Sequence, residues 1–278
     1  MINPRPLNPI TDDDVAAFRE DGTICLRGMF DRAWLDLLAA GIEKARKAPG
    51  PWAQDHTVPG EATGFFSDLA MWRRIPEFRG FVLNSPSAEI AGRLMGSAHV
   101  NLLHDAMWVK EPGTSRRTPW HHDQPFYCAD GEQSCVVWVP IDPVPREITL
   151  ETIAGSHRWD RSFKLERING GYYDGSGTDG YRDIPGIEDN RGAYRIVGWA
   201  LEPGDCLVLH GRTFHGAAGN ATARPRRAVS NVWVGDDAVY IKRPHEMQPD
   251  FTDTGLVAGD PIDRSPVFPR CWTRPAEV

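Results

Sequence analysis

Two side chains able to bind a metal, His121 and Asp123, sit in the run Thr118-Pro119-Trp120-His121-His122-Asp123-Gln124. On an extended backbone, residues i and i+2 point to the same face. The spacing therefore predicts an imidazole and a carboxylate converging on one point. Two ligands hold a catalytic metal poorly, so a third is sought downstream. His215, in Phe214-His215-Gly216, supplies one, and His210 competes for the same place. Two histidines and one carboxylate make the facial triad of non-haem Fe(II) sites, with the opposite face of the octahedron left open. Arg226 stands eleven residues past His215. Its planar, permanently charged guanidinium can grip a carboxylate through two parallel hydrogen bonds. A metal face plus a carboxylate clamp is what 2-oxoglutarate needs. His122 faces away from the metal on such a strand, which makes it a candidate for a supporting or cofactor contact.

The chain must then supply strands to carry these groups. Helices come first. Thr11 is a good N-cap, and Asp12, Asp13 and Asp14 suit the positive end of a helix dipole. Asp31 caps a longer helix, in which Trp34, Leu35, Leu37, Leu38, Gly41, Ile42 and Ala45 fall near the 3.6-residue period. Thr23–Leu26 reads as a short strand between them, and a further helix runs from Pro86 through Leu94. From His99 the texture becomes that of strands: residues 99–109, 136–141, 149–153, 193–197, 205–209 and 227–234. Many short strands divided by turn signals argue for a barrel or jelly roll. Residues 49–64, rich in Pro and Gly, read as a surface connection, or as a loop over the site mouth. Residues 158–192 are rich in Gly, Asp, Tyr and Arg, and a stretch of that length between barrel strands reads as a lid. The Pro-rich tail after Tyr240 reads as a surface wrap.

Several ordered motifs resemble the phytanoyl-CoA dioxygenase (PhyH-like) family of Fe(II)/2-oxoglutarate oxygenases. They are Lys110-Glu111-Pro112-Gly113, Thr118 to Gln124, Gly155-Ser156-His157, Glu202-Pro203-Gly204-Asp205, and His215 followed by Asn220, Arg226 and Ala228. Ordered motifs weigh more than any lone tripeptide. The resemblance implies a mainly β fold with flanking helices, a double-stranded β-helix (cupin-like jelly roll). It implies Fe(II) on His121, Asp123 and His215, with 2-oxoglutarate as cosubstrate and O2 as oxidant. The family offset selects His215 over His210, because Asn220 and Arg226 stand at the right distances from His215. It places Trp138 near the cofactor and makes Arg226 the clamp. His157 is outside the triad by spacing, and a structural hydrogen bond suits it. This sequence departs from relatives at His122, where many carry Gln, at Ala217, where many carry Ser, and at Arg146-Glu147-Ile148 and Ala154. Halogenating relatives replace the triad carboxylate with a small residue, so Asp123 favours hydroxylation of an unactivated C–H bond of a small metabolite. Desaturation, epimerisation and ring closure run on the same machinery. A non-catalytic jelly-roll binding protein is the alternative of another class.

Composition sets the outer bounds. The 278 residues suit one domain, 1–278, with a mainly helical buttress (1–98), a jelly-roll core (99–240) and a C-terminal wrap (241–278). A net charge of −7 argues against a nucleic-acid partner, since a phosphate backbone wants a basic face. No apolar run reaches ~18 residues, so no membrane partner is expected. Five cysteines, an odd number with no Cys-x-x-Cys, fit reduced thiols and a cytoplasmic location. His56, His99, His104 and His245 fit no ligand pattern, and the residues leave oligomeric state open.

Overall fold

The computed structural model describes residues 2–159, 162–173 and 181–276. The chain begins with α1 (Asp12–Asp21), β1 (Thr23–Leu26) and α2 (Arg32–Lys47). β2 (Gln54–Asp55) and β3 (Phe65–Leu69) follow, then α3 (Pro76–Asn84) and α4 (Ser87–Met95). The strands β4 (His99–Lys110), β5 (Thr118–His121), β6 (Ala129–Asp130), β7 (Ser134–Pro140) and β8 (Leu150–Ile153) come next. A long excursion carries β9 (Ser162–Phe163), β10 (Tyr181–Arg182) and β11 (Ile196–Val197). β12 (Cys206–His210), β13 (His215–Ala217), β14 (Arg226–Val234), β15 (Val239–Tyr240) and β16 (Arg270–Thr273) complete the chain.

The helices start where their caps dictate. The Thr11 hydroxyl accepts the Asp14 N–H at 3.1 Å, and the Asp14 carboxylate accepts the Thr11 N–H at 2.8 Å, a complete capping box. Gly22 ends α1 at φ +69°, a conformation glycine adopts without strain. Asp31 caps α2 through the Trp34 N–H, as its position implied.

Two antiparallel sheets face each other. The large one runs β1-β12-β7-β14-β4-β3-β2, with β16 also paired to β4. The small one runs β11-β8-β13-β5. Alternation along the large sheet divides the core. Val137 and Val139 of β7, Val208 of β12 and Trp233 of β14 pack against the helices. Val136 and Trp138, Leu207 and Leu209, and Ala228 and Val232 point between the sheets. Strands buried on both faces read as continuous apolar runs, which is why Val136 to Ile141 stood out. At Gly92 of α4, an added Cβ would lie 2.3 Å from the Trp272 ring, so helix and sheet approach closely there.

Two expectations change, and one unanticipated strand is added. Residues 241–276 do not merely wrap the surface. Phe251, Ile262, Val267 and Phe268 fill the core between the sheets, and β16 extends the large sheet, because apolar side chains interrupt the prolines. Of residues 193–197, only Ile196–Val197 is strand; Arg191–Ala193 form a 3-10 turn. β3 joins the large sheet, although Phe65-Phe66-Ser67-Asp68-Leu69 showed no clean alternation. The proposed lid, 158–192, falls partly outside the described residues, at 160–161 and 174–180. Its described part carries a parallel pair, β9 with β10, and buries Phe163, Leu165, Tyr173 and Ile187.

If the helical layer belongs to one cooperative unit with the sheets, Leu38→Ala, fully buried on α2, should cost ~2–5 kcal/mol in a single calorimetric transition. Leu83→Ala, 37% exposed on α3, should change it by less than ~0.5 kcal/mol. A separate early transition in Leu38→Ala would show that the layer unfolds on its own.

Candidate metal centre

His121 ends β5, and His215 begins β13, directly opposite it in the small sheet. Their ring centroids are 4.2 Å apart. Each Nδ1 bonds the carbonyl two residues earlier, His121 to Pro119 at 2.8 Å and His215 to Thr213 at 3.0 Å. That fixes the tautomer and leaves each Nε2 lone pair turned inward. Asp123 Oδ1 lies 3.3 Å from His121 Nε2 and 3.7 Å from His215 Nε2. Neighbouring ligands at ~2.1 Å from one metal ion sit roughly 3 Å apart. The three ligand atoms all fall within 4.8 Å of one another, so they fit an iron ion on one face.

The carboxylate does not arrive by strand alternation. Asp123 has left the strand, at φ −83° and ψ −38°. The Asp123 and Gln124 N–H groups both donate to the Gly211 carbonyl, at 2.9 and 2.8 Å, and this bond pins the turn. Gly211 allows that approach, since a Cβ there would lie 2.6 Å from Ser134 Oγ.

Protonation suits metal binding. Burial works against the Asp123 carboxylate, but the His215 and His121 imidazoles outweigh it and hold the carboxyl well below its usual range. Burial, then the His121 imidazole, pushes His215 down to about 4. At neutral pH the acid is ionised and His215 is neutral, the forms that bind a metal.

Arg226 begins β14 and is 2% exposed. One Nη donates to the Ile148 carbonyl at 2.7 Å, and its guanidinium lies 5.8 Å from the Trp138 ring centre. Its Nε is buried with no partner. Burial lowers its pKa to about 10, with no acidic group acting on it. Its cross-strand partner, Lys110, is buried too, its ammonium spent on the Ala218 carbonyl at 2.8 Å. Arg226, a buried cation in the cavity wall with no carboxylate beside it among the described residues, fits the far carboxylate of 2-oxoglutarate. Arg227 takes the opposite face and grips Asp142 through Nε (3.0 Å) and Nη2 (2.8 Å).

The other candidates divide. Trp138 lines the same cavity as the triad and Arg226. His122 does not: it stacks on Phe214, 4.9 Å between centres, and its Nε2 accepts the Phe163 N–H at 3.3 Å. Having turned from the metal, it meets the described part of the lid and the residue before His215, a placement that suits the supporting role. His210 is also away from the centre, its Nε2 bonded to the Glu132 carbonyl. His157 makes a structural bond to the Arg19 carbonyl.

The remaining motifs hold the frame. Ser156 Oγ accepts the Phe214 N–H at 2.8 Å, which fixes the residue before His215. Asn220 Nδ2 donates to the Lys110 and Arg224 carbonyls and shapes the turn ahead of Arg226. Asp205 accepts from Arg27 and from the Gly28 and Glu202 N–H groups, tying β12 to β1.

Sequence reasoning missed much of the wall. Trp52 and His56 line the cavity, so the 49–64 segment is part of its mouth. Tyr173 and Gln248, hydrogen-bonded at 3.0 Å, close it from the excursion and the tail. His104 lines it from β4.

The profile of the phytanoyl-CoA dioxygenase (PhyH) family matches residues 18–228. The multifunctional dioxygenase prhA of Penicillium brasilianum is 23% identical over 244 residues, 82% of this chain and 74% of that protein. Among solved structures, the carbocyclase SnoK from nogalamycin biosynthesis superposes with a TM-score of 0.76 at 23% identity, covering 97% of this chain and all of that one. The epimerase SnoN, solved with Fe3+, alpha ketoglutarate and nogalamycin RO, gives 0.71 at 21%, covering 93% and 97%. At these identities the structures establish the fold. With three quarters of its length matched, the chain belongs to the phytanoyl-CoA dioxygenase family and is an Fe(II)/2-oxoglutarate-dependent dioxygenase of jelly-roll fold.

Proposed function

We propose that this enzyme hydroxylates an unactivated C–H bond of a small molecule, with His121, Asp123 and His215 as the iron ligands and Arg226 as the cosubstrate clamp. The observation that carries this reading is the buried, uncompensated Arg226 guanidinium, facing the same cavity as three converged ligand atoms. Bound together, iron, 2-oxoglutarate and O2 supply the oxidant for the substrate, with succinate and CO2 as co-products.

The chain's own contribution is placement. Arg226, with Trp138 beside it, holds the far carboxylate of the cosubstrate. The Pro119 and Thr213 carbonyls keep both imidazoles aimed. Trp52, Phe126 and Tyr173 narrow the entrance and exclude water. Retention of Asp123 keeps all three protein ligand positions filled, which supports oxygen transfer over halogenation. Desaturation, epimerisation and cyclisation differ from hydroxylation only in how the substrate lies.

Among the described residues, no helix is long and apolar enough to cross a membrane. We place the enzyme in the cytoplasm on the strength of five free thiols, and we infer no nucleic-acid or membrane partner from its acidic balance. We treat 1–278 as one functional unit, since residues of 49–64, 166–173 and 248 share one cavity.

Apo protein should bind one Fe(II) per chain, and anaerobic 2-oxoglutarate should then produce a visible charge-transfer band. His121→Ala and His215→Ala should lose it, while His210→Ala keeps it. If His210→Ala loses the band and His215→Ala does not, the third ligand is misassigned.

Arg226→Ala should raise the 2-oxoglutarate requirement by about thirtyfold or more, from ~2–5 kcal/mol of lost pairing, and leave iron binding intact. Stability should move the other way. In protein freed of small molecules, Arg226→Met should melt no earlier than wild type, because a buried charge without a partner is costly. Its pKa, lowered to about 10, is that cost: it applies in full below pH 10 and fades as pH rises toward the unfolded value. Arg227→Ala should lower stability by ~1–3 kcal/mol and leave the cosubstrate requirement unchanged. A cosubstrate defect in Arg227→Ala would overturn the assignment.

A further inference from the structure

Arg226 and His104 mark two ends of the cavity floor. On the large sheet, Arg226 pairs with Lys110 and Val232 pairs with His104. Six residues of β14 separate the two levels, roughly 20 Å of strand. The cosubstrate, held between triad and Arg226, uses one end. The other end is walled by apolar Val136, Leu209 and Val232, with the edge of Tyr127 5.1 Å from the His104 ring.

His104 is 3% exposed, and its Nδ1 is buried without a partner. Among the described residues, neither ring nitrogen makes a hydrogen bond. Buried polar atoms normally find partners, and an unpaired imidazole in the wall of a binding cavity needs an explanation. His56, the other neutral imidazole in the wall, shows the contrast: its Nε2 lies 2.8 Å from Ser67 Oγ and its Nδ1 3.3 Å from Asn169 Oδ1. A neutral imidazole offers one donor and one acceptor.

Charge narrows the class of ligand. Among the described lining residues there is no lysine and no arginine except Arg226. The rim arginines are occupied: Arg116 donates to the His56 and Ile168 carbonyls, and Arg117 pairs with Glu188. Glu166 adds negative charge at the entrance. A phosphate or carboxylate on the substrate would find no cation there. Flat walls come from Trp52, Phe65, Trp108 and Phe126, and aromatic faces suit rings.

We propose that His104 is the hydrogen-bonding anchor of the substrate end, reading a carbonyl or hydroxyl oxygen on a neutral, ring-bearing molecule. The proposal rests on iron and 2-oxoglutarate occupying the triad and Arg226. It sets this enzyme apart from one that takes an acyl-CoA thioester.

The test uses full-length enzyme loaded anaerobically with Fe(II) and 2-oxoglutarate. Equilibrium dialysis compares flavanone, a neutral ring ketone, with flavan, the same skeleton without the carbonyl. Wild type should bind flavanone about tenfold more tightly, the worth of one hydrogen bond. His104→Leu should erase the preference, and His104→Gln, which keeps a donor and an acceptor, should restore most of it. Palmitoyl-CoA should not displace flavanone. The proposal falls if wild type shows no preference for flavanone or does not bind it. It also falls if the preference survives His104→Leu, or if palmitoyl-CoA competes. The charge-transfer band is recorded in every sample. Loss of the band in His104→Leu alone would assign His104 to the cosubstrate instead. No band in wild type would remove the cofactor assignment and this proposal together. A normal band with the wrong binding pattern removes the His104 role alone.

Discussion

The pairing of His121 with His215 across two short strands is the contact on which the centre depends. β5 and β13 hold four and three residues, too few to be stable as an isolated pair. They keep register because other elements grip their ends. Ser156 holds the Phe214 N–H, Thr213 Oγ1 donates to the Gly22 carbonyl at 2.7 Å, and Gly211 anchors the turn at Asp123. The same local device aims both rings, an Nδ1 bond to the carbonyl two residues back. Ring orientation is thus set by backbone, and it does not wait for a metal.

The large sheet supplies the stiffness behind that pair. Its outer face is buried under α2 and α4, and its inner face forms the cavity floor, so the central strands β7, β12 and β14 are constrained from both sides. A slip of one residue in β14 would exchange Arg226 for Arg227 and move the apolar set off the helices. Register errors are therefore opposed by the whole helical layer. The Trp108 indole, bonded to Ser230 Oγ at 2.9 Å, adds a cross-strand tie between the Arg226 and His104 levels.

The sequence made the centre more legible than its walls. His121, Asp123, His215 and Arg226 have functional chemistry that few other residue types can replace, and their order along the chain is distinctive. Face alternation on β14 puts Arg226 and Arg227 on opposite sides of the sheet. The same alternation gave the wrong route to Asp123, which reaches the centre through a turn held by Gly211, a contact with no local signature. His122, facing away from the metal, left a supporting and a cofactor contact both open, because its stacking partner, Phe214, is distant in sequence. The wall residues Trp52, His104, Tyr173 and Gln248 come from four separate segments. Nothing local tells a tryptophan in a Pro-rich loop, or a histidine in an apolar strand, that it faces a cavity. The tail misled for a similar reason: prolines suggested a surface strap, while its four buried apolar residues were spaced too irregularly to read.

Buried charge separates frame from function in this fold. In the frame, acids are answered. Asp68 pairs with Arg74 and accepts the Gly50 N–H, Asp205 pairs with Arg27, and Asp142 with Arg227. Asp105, pushed up to about 7 by burial, accepts the Trp72 N–H with both oxygens. Inside the cavity the pattern reverses. Among the described residues, Arg226 has no carboxylate beside it, the His104 ring makes no hydrogen bond, and Asp123 is answered by the two imidazoles that converge on it. Each unmet group costs ~1–3 kcal/mol in the folded chain. Such a cost persists only where a bound molecule repays it, or where the surrounding structure holds the group regardless. Here the surroundings are two packed cores on either side of one sheet, which hold Arg226 and His104 in place regardless.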